Sequence, residues 1–246
     1  MKLPSGPGAP AADIPAALAD ATAACRRIST YSADIAASGS VGGQRLRGHL
    51  LVGVAAPASA RLEAVAPVGQ PLFIFVTSAA EATLLLPRDN RVLEHGRPAD
   101  VLEAIAGVPL DAAGLRTTLT GCAAAADRDT GRSLGDDWRV ASDGDADVYL
   151  HRLQEPDRWR LVAAVHRRGG ATGEWRAEYA DFDAGLPRTV HLASADRRRF
   201  DLTLKLSQVA LDEPMGANVF RVRVPPDADP ITIDELRHAR PGLRQN

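Results

Sequence analysis

Apolar and polar residues alternate along many short stretches of the chain, and the clearest case is residues 59–66. There Leu62 and Ala64 alternate with Arg61 and Glu63. In a β-strand, successive side chains point to opposite faces, so this alternation predicts a strand with one buried face and one solvated face.

The next apolar stretch, residues 71–77, is hydrophobic at nearly every position. Such a pattern is typical of a strand that is covered on both faces. We expect Phe73 and Phe75 to lie on the same face as the buried side of the preceding strand. A register slip of one residue would exchange them with Leu72 and Ile74.

Strand patterns recur at intervals of about ten residues, with Pro or Gly at the breaks. This spacing indicates antiparallel strands joined by turns rather than βαβ units. The predicted strands cover residues 31–38, 45–55, 59–66, 71–77, 82–86, 91–94, 138–142, 147–154, 159–166, 175–182, 188–192, 200–211 and 219–224.

Three stretches have apolar residues at helical spacing: 14–28, 99–106 and 111–119. In the first, Asp13 is a candidate N-cap, and the periodicity places Cys25 on the buried face. The other two stretches are short amphipathic helices in the middle of the chain. The segment between them and the next strand, residues 123–137, is small, charged and Gly-containing, which predicts a loop.

Composition limits the classes of protein that this chain can be. The 246 residues are 45% hydrophobic but only 4% aromatic, so an aliphatic core is expected. The Pro/Gly/Ala-rich residues 1–12 predict a flexible linker, and residues 13–246 predict a single domain. The net charge of −2, without a basic block, argues against nucleic-acid binding, which needs clustered cations.

Catalytic and metal-binding patterns are missing from the sequence. No nucleophile elbow or phosphate-binding loop is present, and the histidines are not at metal-ligand spacing. Asp143, Asp145 and Asp147 resemble part of a calcium loop, but the twelfth position is Gln154, so a solvated turn is the better interpretation. We therefore expect a protein that is not an enzyme and that has no cofactor and no metal.

The two cysteines, Cys25 and Cys122, fit either a single disulfide or two buried thiols. Sequence spacing alone does not decide between them, because the answer depends on the redox compartment.

Several phrases in the sequence resemble a known superfamily. RLRGHLLVGVAAP, ARLEAVAPVGQPLFIFV and ATLLLPRDNRVLEHG resemble the first strands of the bacterial lipoprotein carriers LolA and LolB. GLPRTVHLA and LKLSQVALDEPMGANVFRVRVPPDADPITIDEL are similar to the closing strands. The resemblance covers residues 31–236 and is greatest to LolB-like outer-membrane lipoproteins.

The resemblance implies a mostly β (α+β) fold: a curved, incomplete antiparallel β-barrel of about eleven strands, with helices covering its open side. An apolar cavity between sheet and helices would hold acyl chains. Alternation within the strands then selects the residues that would line it. From the sheet these are Leu62, Ala64, Phe73, Phe75, Leu84 and Leu86, and from the helices Val101, Ile105, Leu115 and Leu119.

The resemblance also implies a place and partners for the protein. We expect the periplasm or the periplasmic face of the outer membrane, with a signal peptide or lipobox removed, and a Cys25–Cys122 disulfide. The expected ligands are lipid or lipoprotein acyl chains, with an envelope protein as a further partner and membrane contact only through an anchor. Two alternatives stay open: an envelope sensor or protein-interaction module on the same fold, and a hydrolase built around His151, His166 or His191.

Overall fold

The computed structural model describes residues 2–66, 68–78, 80–122, 130–167 and 173–239. The chain divides into two compact units. Unit 1 comprises Met1–Arg27 and Thr117–Ala195, and unit 2 comprises Ile28–Arg116 and Asp196–Asn246. The single domain expected over residues 13–246 stays a prediction.

The described residues contain mainly strands, with a few short helices. The strands are β1 (Ala9–Pro10), β2 (Thr30–Val41), β3 (Gln44–Ala55), β4 (Ser59–Val65), β5 (Phe73–Ser78), β6 (Glu81–Leu86), β7 (Arg91–Gly96), β8 (Thr130–Ser133), β9 (Trp138–Ser142), β10 (Ala146–Leu153), β11 (Arg158–His166), β12 (Trp175–Asp183), β13 (Leu186–Ser194), β14 (Phe200–Leu211) and β15 (Asp229–Pro230). The α-helices are α1 (Ile14–Ala21), α2 (Pro98–Ala106), α3 (Ala112–Thr120) and α4 (Ile233–Ala239).

In unit 1 the strands follow the order β1-β8-β9-β10-β11-β12-β13, and neighbouring strands are antiparallel. Helix α1 packs on this sheet and buries Ile14, Ala17 and Leu18. The approach is close at Gly131, where an added Cβ would come within 2.7 Å of Ile14 Cδ1. The apolar face of α1 thus packs on strands β8 to β11 of unit 1.

Helix α1 is shorter than the sequence predicts, because it ends at Ala21 rather than continuing to residue 28. The Thr22 hydroxyl donates a hydrogen bond to the Leu18 carbonyl oxygen, a bond that competes with the helical pattern. Asp13 is the N-cap residue, as predicted, but its side chain makes no capping hydrogen bond. The Asp13 carboxylate accepts a hydrogen bond from Arg139 Nε instead, at 2.8 Å, and this bond holds the pKa of Asp13 below its usual value.

In unit 2 the strand order is β14-β2-β3-β4-β5-β6-β7-β15. All neighbours are antiparallel except β15, which is parallel to β7. Among the described residues, β14 and β15 do not pair with each other, so this sheet stays open. The predicted fold class, mostly antiparallel β with helices that cover an open sheet, is confirmed.

The sheet of unit 2 has two chemically different faces. We call the side on which Leu62 and Phe75 lie the inner face, because both side chains are buried there. The opposite side, on which Arg61 and Glu63 form an ion pair with 2.9 Å between Nη2 and Oε2, is the outer face.

Part of the outer face is covered by residues 212–231, which we call the C-terminal strap. The strap begins beside β2, where the Thr30 hydroxyl donates to the Glu213 carbonyl oxygen at 2.7 Å. It then passes over β3, where Met215 Sδ would lie 3.6 Å from a Cβ added at Gly53.

Further along, the strap contains a short 3-10 helix, Ala217–Phe220, that packs on β4 and β5. Arg61 Nη1 donates to the Val219 carbonyl oxygen at 3.3 Å. The strap ends beside β7, where Asn90 donates to the Asp227 carbonyl oxygen at 2.8 Å. This cover explains why 71–77 is apolar on both faces: one face belongs to the inner side and the other meets the strap.

Three local predictions need correction. A strand over residues 219–224 is wrong, because this segment crosses the face of other strands instead of pairing with them. The predicted loop 123–137 contains β8, and its first part, 123–129, lies outside the described residues. Within the predicted linker 1–12, β1 pairs with β8 through backbone hydrogen bonds, which need no apolar side chains.

The hydrogen bonds at the start of the strap predict how the stability of the protein depends on pH. The Asp212 carboxylate accepts hydrogen bonds from the Ser29 backbone N–H at 2.7 Å and from its hydroxyl at 2.8 Å, and these lower the pKa of Asp212. A lowered folded-state pKa contributes stability that is present above the unfolded-state value and is lost as the pH falls through the folded-state value. We expect Asp212→Asn to unfold at lower urea concentration than the wild type at neutral pH.

The difference between the two proteins should shrink as the pH falls below about 4, where this carboxylate becomes protonated first in the unfolded chain, and should disappear below the lower pKa of the folded state. Urea unfolding at a series of pH values measures this. Asp89→Asn, which removes a carboxylate from the exposed turn between β6 and β7, is the control and should leave the pH profile unchanged. A pH-independent loss in the Asp212 variant would contradict the assignment.

Candidate functional site

The inner face of unit 2 is a set of apolar rows that run across neighbouring strands. In one row Val52, Leu62, Phe75, Leu84 and Leu93 are successive cross-strand partners from β3 to β7. All five side chains are buried. Since directly opposed residues share a face, the row forms a continuous apolar band across five strands.

A second row runs parallel to the first and is displaced from it by two residues along each strand. Leu206, Ile35, Leu50, Ala64 and Phe73 are successive partners from β14 to β5. This register puts both phenylalanines of β5 on the inner face, as expected from the alternation in β4.

Helix α2 lies across this inner face. At its amino-terminal end, Leu93 Cδ2 and Val101 Cγ2 would both lie 2.6 Å from a Cβ added at Gly96, so these two side chains meet above β7. At its carboxyl-terminal end, Gly107 has φ of +77° and approaches Val41 and Phe200, at the ends of β2 and β14. The helix therefore bridges the sheet from β7 to β14, and α4 packs against it.

The cover is incomplete over β3. Leu50 faces inward between Ile35 and Ala64, which are both buried, yet Leu50 itself is only half-buried. Two residues earlier, Gly48 also faces inward, and a Cβ added there would meet no atom within 4 Å. The inner face thus has open space beside its apolar rows at this position.

All ten residues that the sequence predicts for an apolar cavity are buried. Six are on β4, β5 and β6, and two are on α2. The remaining two, Leu115 and Leu119, are on α3, whose first half belongs to unit 2 and whose second half belongs to unit 1. Leu119 is in the part assigned to unit 1, so the inner face of unit 2 is described without it.

Comparison with solved structures gives two proteins of the same architecture. A LolA superfamily protein, NE2245 from Nitrosomonas europaea, matches with a TM-score of 0.56 and 13% identity, over 84% of this chain and 96% of that one. A domain named for outer-membrane lipoprotein sorting, from Vibrio parahaemolyticus, matches with a TM-score of 0.54 and 12% identity, over 84% and 95% of the two chains. This chain has the LolA-superfamily fold.

The resemblance seen in the strand phrases of the sequence is thereby confirmed at the level of the fold. No protein-family model matches the chain. No curated protein sequence matches it either. The LolA fold is thus recognised through strand order and pairing rather than through a sequence signature.

Several inner-face residues of this LolA-type fold escaped the sequence prediction. Val52 and Ile35 lie on β3 and β2, whose alternation was visible but whose inward side was not assigned. Leu93 was missed because the pairing of β6 with β7 shifts between Ala82 and Leu84, which changes the register. An irregularity of this kind has no clear signal in a strand of six residues.

The histidines named for a hydrolase lie on strands of unit 1. His166 stacks on Trp175 with ring centroids 4.0 Å apart, and His151 packs on Trp138 at 4.6 Å. His191 Nδ1 lies 3.9 Å from Glu178 Oε2 on the neighbouring strand. Within the described ranges, no group of three or more His, Cys, Asp or Glu side chains is arranged to hold a metal ion.

The turn between β9 and β10 contains the aspartates that resemble a calcium loop. Asp143 Oδ1 accepts hydrogen bonds from the backbone N–H groups of Asp145 and Ala146, at 3.0 and 2.8 Å. Asp147 points elsewhere and forms ion pairs with Arg167 and Arg132. These contacts are those of a turn closed by an aspartate side chain.

None of the helices in the described part of the chain has both the length and the hydropathy that crossing a membrane would require.

Unit 1 contains the predicted disulfide. Cys25 and Cys122 are bonded, with their Cα atoms 5.8 Å apart and a sequence separation of 97. Cys25 follows α1, and Cys122 is the second residue after α3. The disulfide therefore joins two segments that the chain separates widely, and it fastens the end of the α1 region within unit 1.

We expect the double variant Cys25→Ser/Cys122→Ser to lose about 4 kcal/mol of unfolding free energy, because a loop this long is strongly constrained in the unfolded chain. Urea denaturation measures the loss. The wild type with its disulfide reduced is the matched control and should unfold at the same urea concentration as the variant. Equal stability of the variant and the oxidised wild type would contradict this role.

Proposed function

We propose that this protein binds lipid or lipoprotein acyl chains, without catalysis, on the inner face of unit 2. The observation that carries the proposal is the combination of continuous apolar rows with open space at Gly48. A face of this kind, roofed by α2 and accessible beside β3, offers a long apolar contact to a flexible hydrocarbon.

Binding of an acyl chain requires little else. Each buried methylene contributes about 0.8 kcal/mol, so about ten of them contribute about 8 kcal/mol before the entropy of ordering the chain is subtracted. Neither a nucleophile nor a metal is needed. The residues proposed to contact the ligand are those predicted from the sequence on β4, β5, β6 and α2, together with Leu115 of α3 and with Leu50 beside the open space.

The fold comparison supports the same function. One of the two proteins with this fold is named for lipoprotein sorting at the outer membrane. We propose that the present protein also works in the bacterial cell envelope, where its disulfide would persist. The ligand would be a lipid or the acyl chains of a lipoprotein, and an envelope protein would be a second partner.

The test of ligand class is to purify the protein without detergent, extract it with organic solvent and identify released lipids by mass spectrometry. Bound phospholipid or fatty acid, at a constant ratio to protein, is the expected result. Protein that carries no lipid and does not bind the fluorescent fatty acid cis-parinaric acid would contradict the proposal, and would favour a protein-interaction module on the same fold.

A single substitution tests whether the ligand occupies the open space beside Gly48. Gly48→Phe places a large side chain into the open space on the inner face, so we expect weaker binding of cis-parinaric acid, by tenfold or about 1.4 kcal/mol, without loss of stability. Unaltered binding in a variant of unchanged stability would contradict the placement of the ligand beside Gly48.

The matched control is His49→Phe. His49 is the next residue on β3, is exposed and faces outward. This substitution adds the same side chain to the opposite face of the same strand and should leave parinaric acid binding unchanged. Thermal unfolding of all three proteins verifies that the comparison concerns folded protein.

A further inference from the structure

The C-terminal strap covers only part of the outer face of unit 2, and the uncovered part is chemically distinctive. The strap meets β3 at Gly53 and β4 at Arg61. Beyond these points, toward the turn between β2 and β3, the outward positions of β14, β2 and β3 remain half-buried or exposed.

Cationic side chains are concentrated on this uncovered region. Arg45 and Arg47 face outward on β3, and they are exposed. Asp201 and Thr203 of β14 lie across β2 from them, through Ser40 and Ser38, and Lys205 is the next outward residue of β14. Lys205 is exposed as well.

A second source of positive charge is the turn that precedes β14. Arg197, Arg198 and Arg199 follow one another there, and all three are exposed. This turn is joined to the β2–β3 turn, because the Gly42 backbone N–H donates to the Arg199 carbonyl oxygen at 2.7 Å. The arginines of β3 and of the turn thus surround one end of the sheet.

We use the term basic face for the surface formed by Arg45, Arg47, Arg197, Arg198, Arg199 and Lys205. Its carboxylates are fewer. Asp201 lies 3.4 Å from Arg197, and Asp196 closes the turn by accepting from the Arg198 backbone N–H at 3.1 Å. The whole chain carries a net charge of −2, so this local excess of cations is not a property of the composition.

Two large apolar side chains adjoin the basic face. Leu51 and Val65 are 46% and 39% exposed, and both face outward. Val65 is the cross-strand partner of His49, and Leu51 is two residues further along β3. The cross-strand neighbours of Leu51 are Asp34 and Glu63, and Glu63 is paired with Arg61, so the cations of the basic face lie further along β3, toward the β2–β3 turn. Exposed aliphatic side chains next to a cationic region match the boundary between lipid headgroups and acyl chains, where both groups find partners.

We propose that the basic face, with Leu51 and Val65, docks this protein on a membrane surface rich in anionic phospholipid headgroups. Phosphate groups complement the arginines, and the aliphatic side chains enter the headgroup layer. The inference rests on the proposed function in one respect only: a protein that exchanges acyl chains with a membrane needs a surface that touches it. The docking surface and the acyl-chain site lie on opposite faces of one sheet.

The experiment is sedimentation of the full chain with vesicles of phosphatidylcholine containing phosphatidylglycerol, compared with vesicles of phosphatidylcholine alone. We expect binding to the anionic vesicles only, and loss of binding in high salt, because the screening length falls from about 10 Å at about 0.1 M to about 3 Å at about 1 M ionic strength. Equal binding to both kinds of vesicle, or to neither, would overturn the proposal. Binding to neither kind of vesicle would leave an acidic protein as the partner of this surface.

Variants locate the effect on the surface. Removing one cation near an anionic surface weakens partitioning by about fivefold, so Arg45→Gln/Arg47→Gln should bind the anionic vesicles about 25-fold more weakly. The control, Arg97→Gln/Arg237→Gln, removes the same charge from exposed positions at the start of α2 and on α4 and should bind as the wild type does. Equal losses in both variants would mean that net charge alone acts, which would overturn the assignment.

Parinaric acid binding in the absence of vesicles keeps the two proposals separate. The Arg45/Arg47 variant should bind the free fatty acid as the wild type does, because its substitutions face away from the acyl-chain site. Gly48→Phe should lose parinaric acid binding but still sediment with anionic vesicles, because its substitution faces away from the basic face. Failure of docking with intact fatty-acid binding would remove only the inference about the membrane surface.

Discussion

The packing of unit 2 depends on the register between β4 and β5. Because Leu62 is opposite Phe75 and Ala64 is opposite Phe73, the apolar residues of both strands fall on one face. A shift of one residue would turn this set toward the strap and bring Ile74 inward. The apolar rows, the position of α2 above them and the separation of an apolar side from a charged side all follow from this one alignment.

Much of this arrangement was readable from the sequence, since the alternation of Leu62 and Ala64 with Arg61 and Glu63 identifies the buried side of β4 directly. The disulfide was not readable in the same way. Spacing left both two thiols and a bridge open, and only the resemblance to envelope proteins favoured the bridge. The partial exposure of Leu50 was also beyond prediction, because it depends on where α2 stops covering the sheet rather than on any property of the strand.

The misjudged segments share a physical cause. In the strap, VFRVRV alternates like a strand because one side packs on β4 and β5, but its backbone does not join the ladder. In contrast, β8 reads TGRS and has no apolar side at all, yet it pairs through backbone hydrogen bonds on both sides, with β1 and β9. Period-two patterning reports which side is covered, and it does not distinguish pairing along an edge from packing on a face.

The pairing of β2 with β14 constrains how the protein reaches its native state. Tyr31 is opposite Leu211. The backbone groups on this edge of β2 therefore have no strand partner until β14 has been synthesised, close to the end of the sequence. Contacts between such distant parts of a chain form slowly. During translation, the edge of β2 stays available to other chains, and a chaperone that shields nascent strands would be most valuable to this protein at that stage.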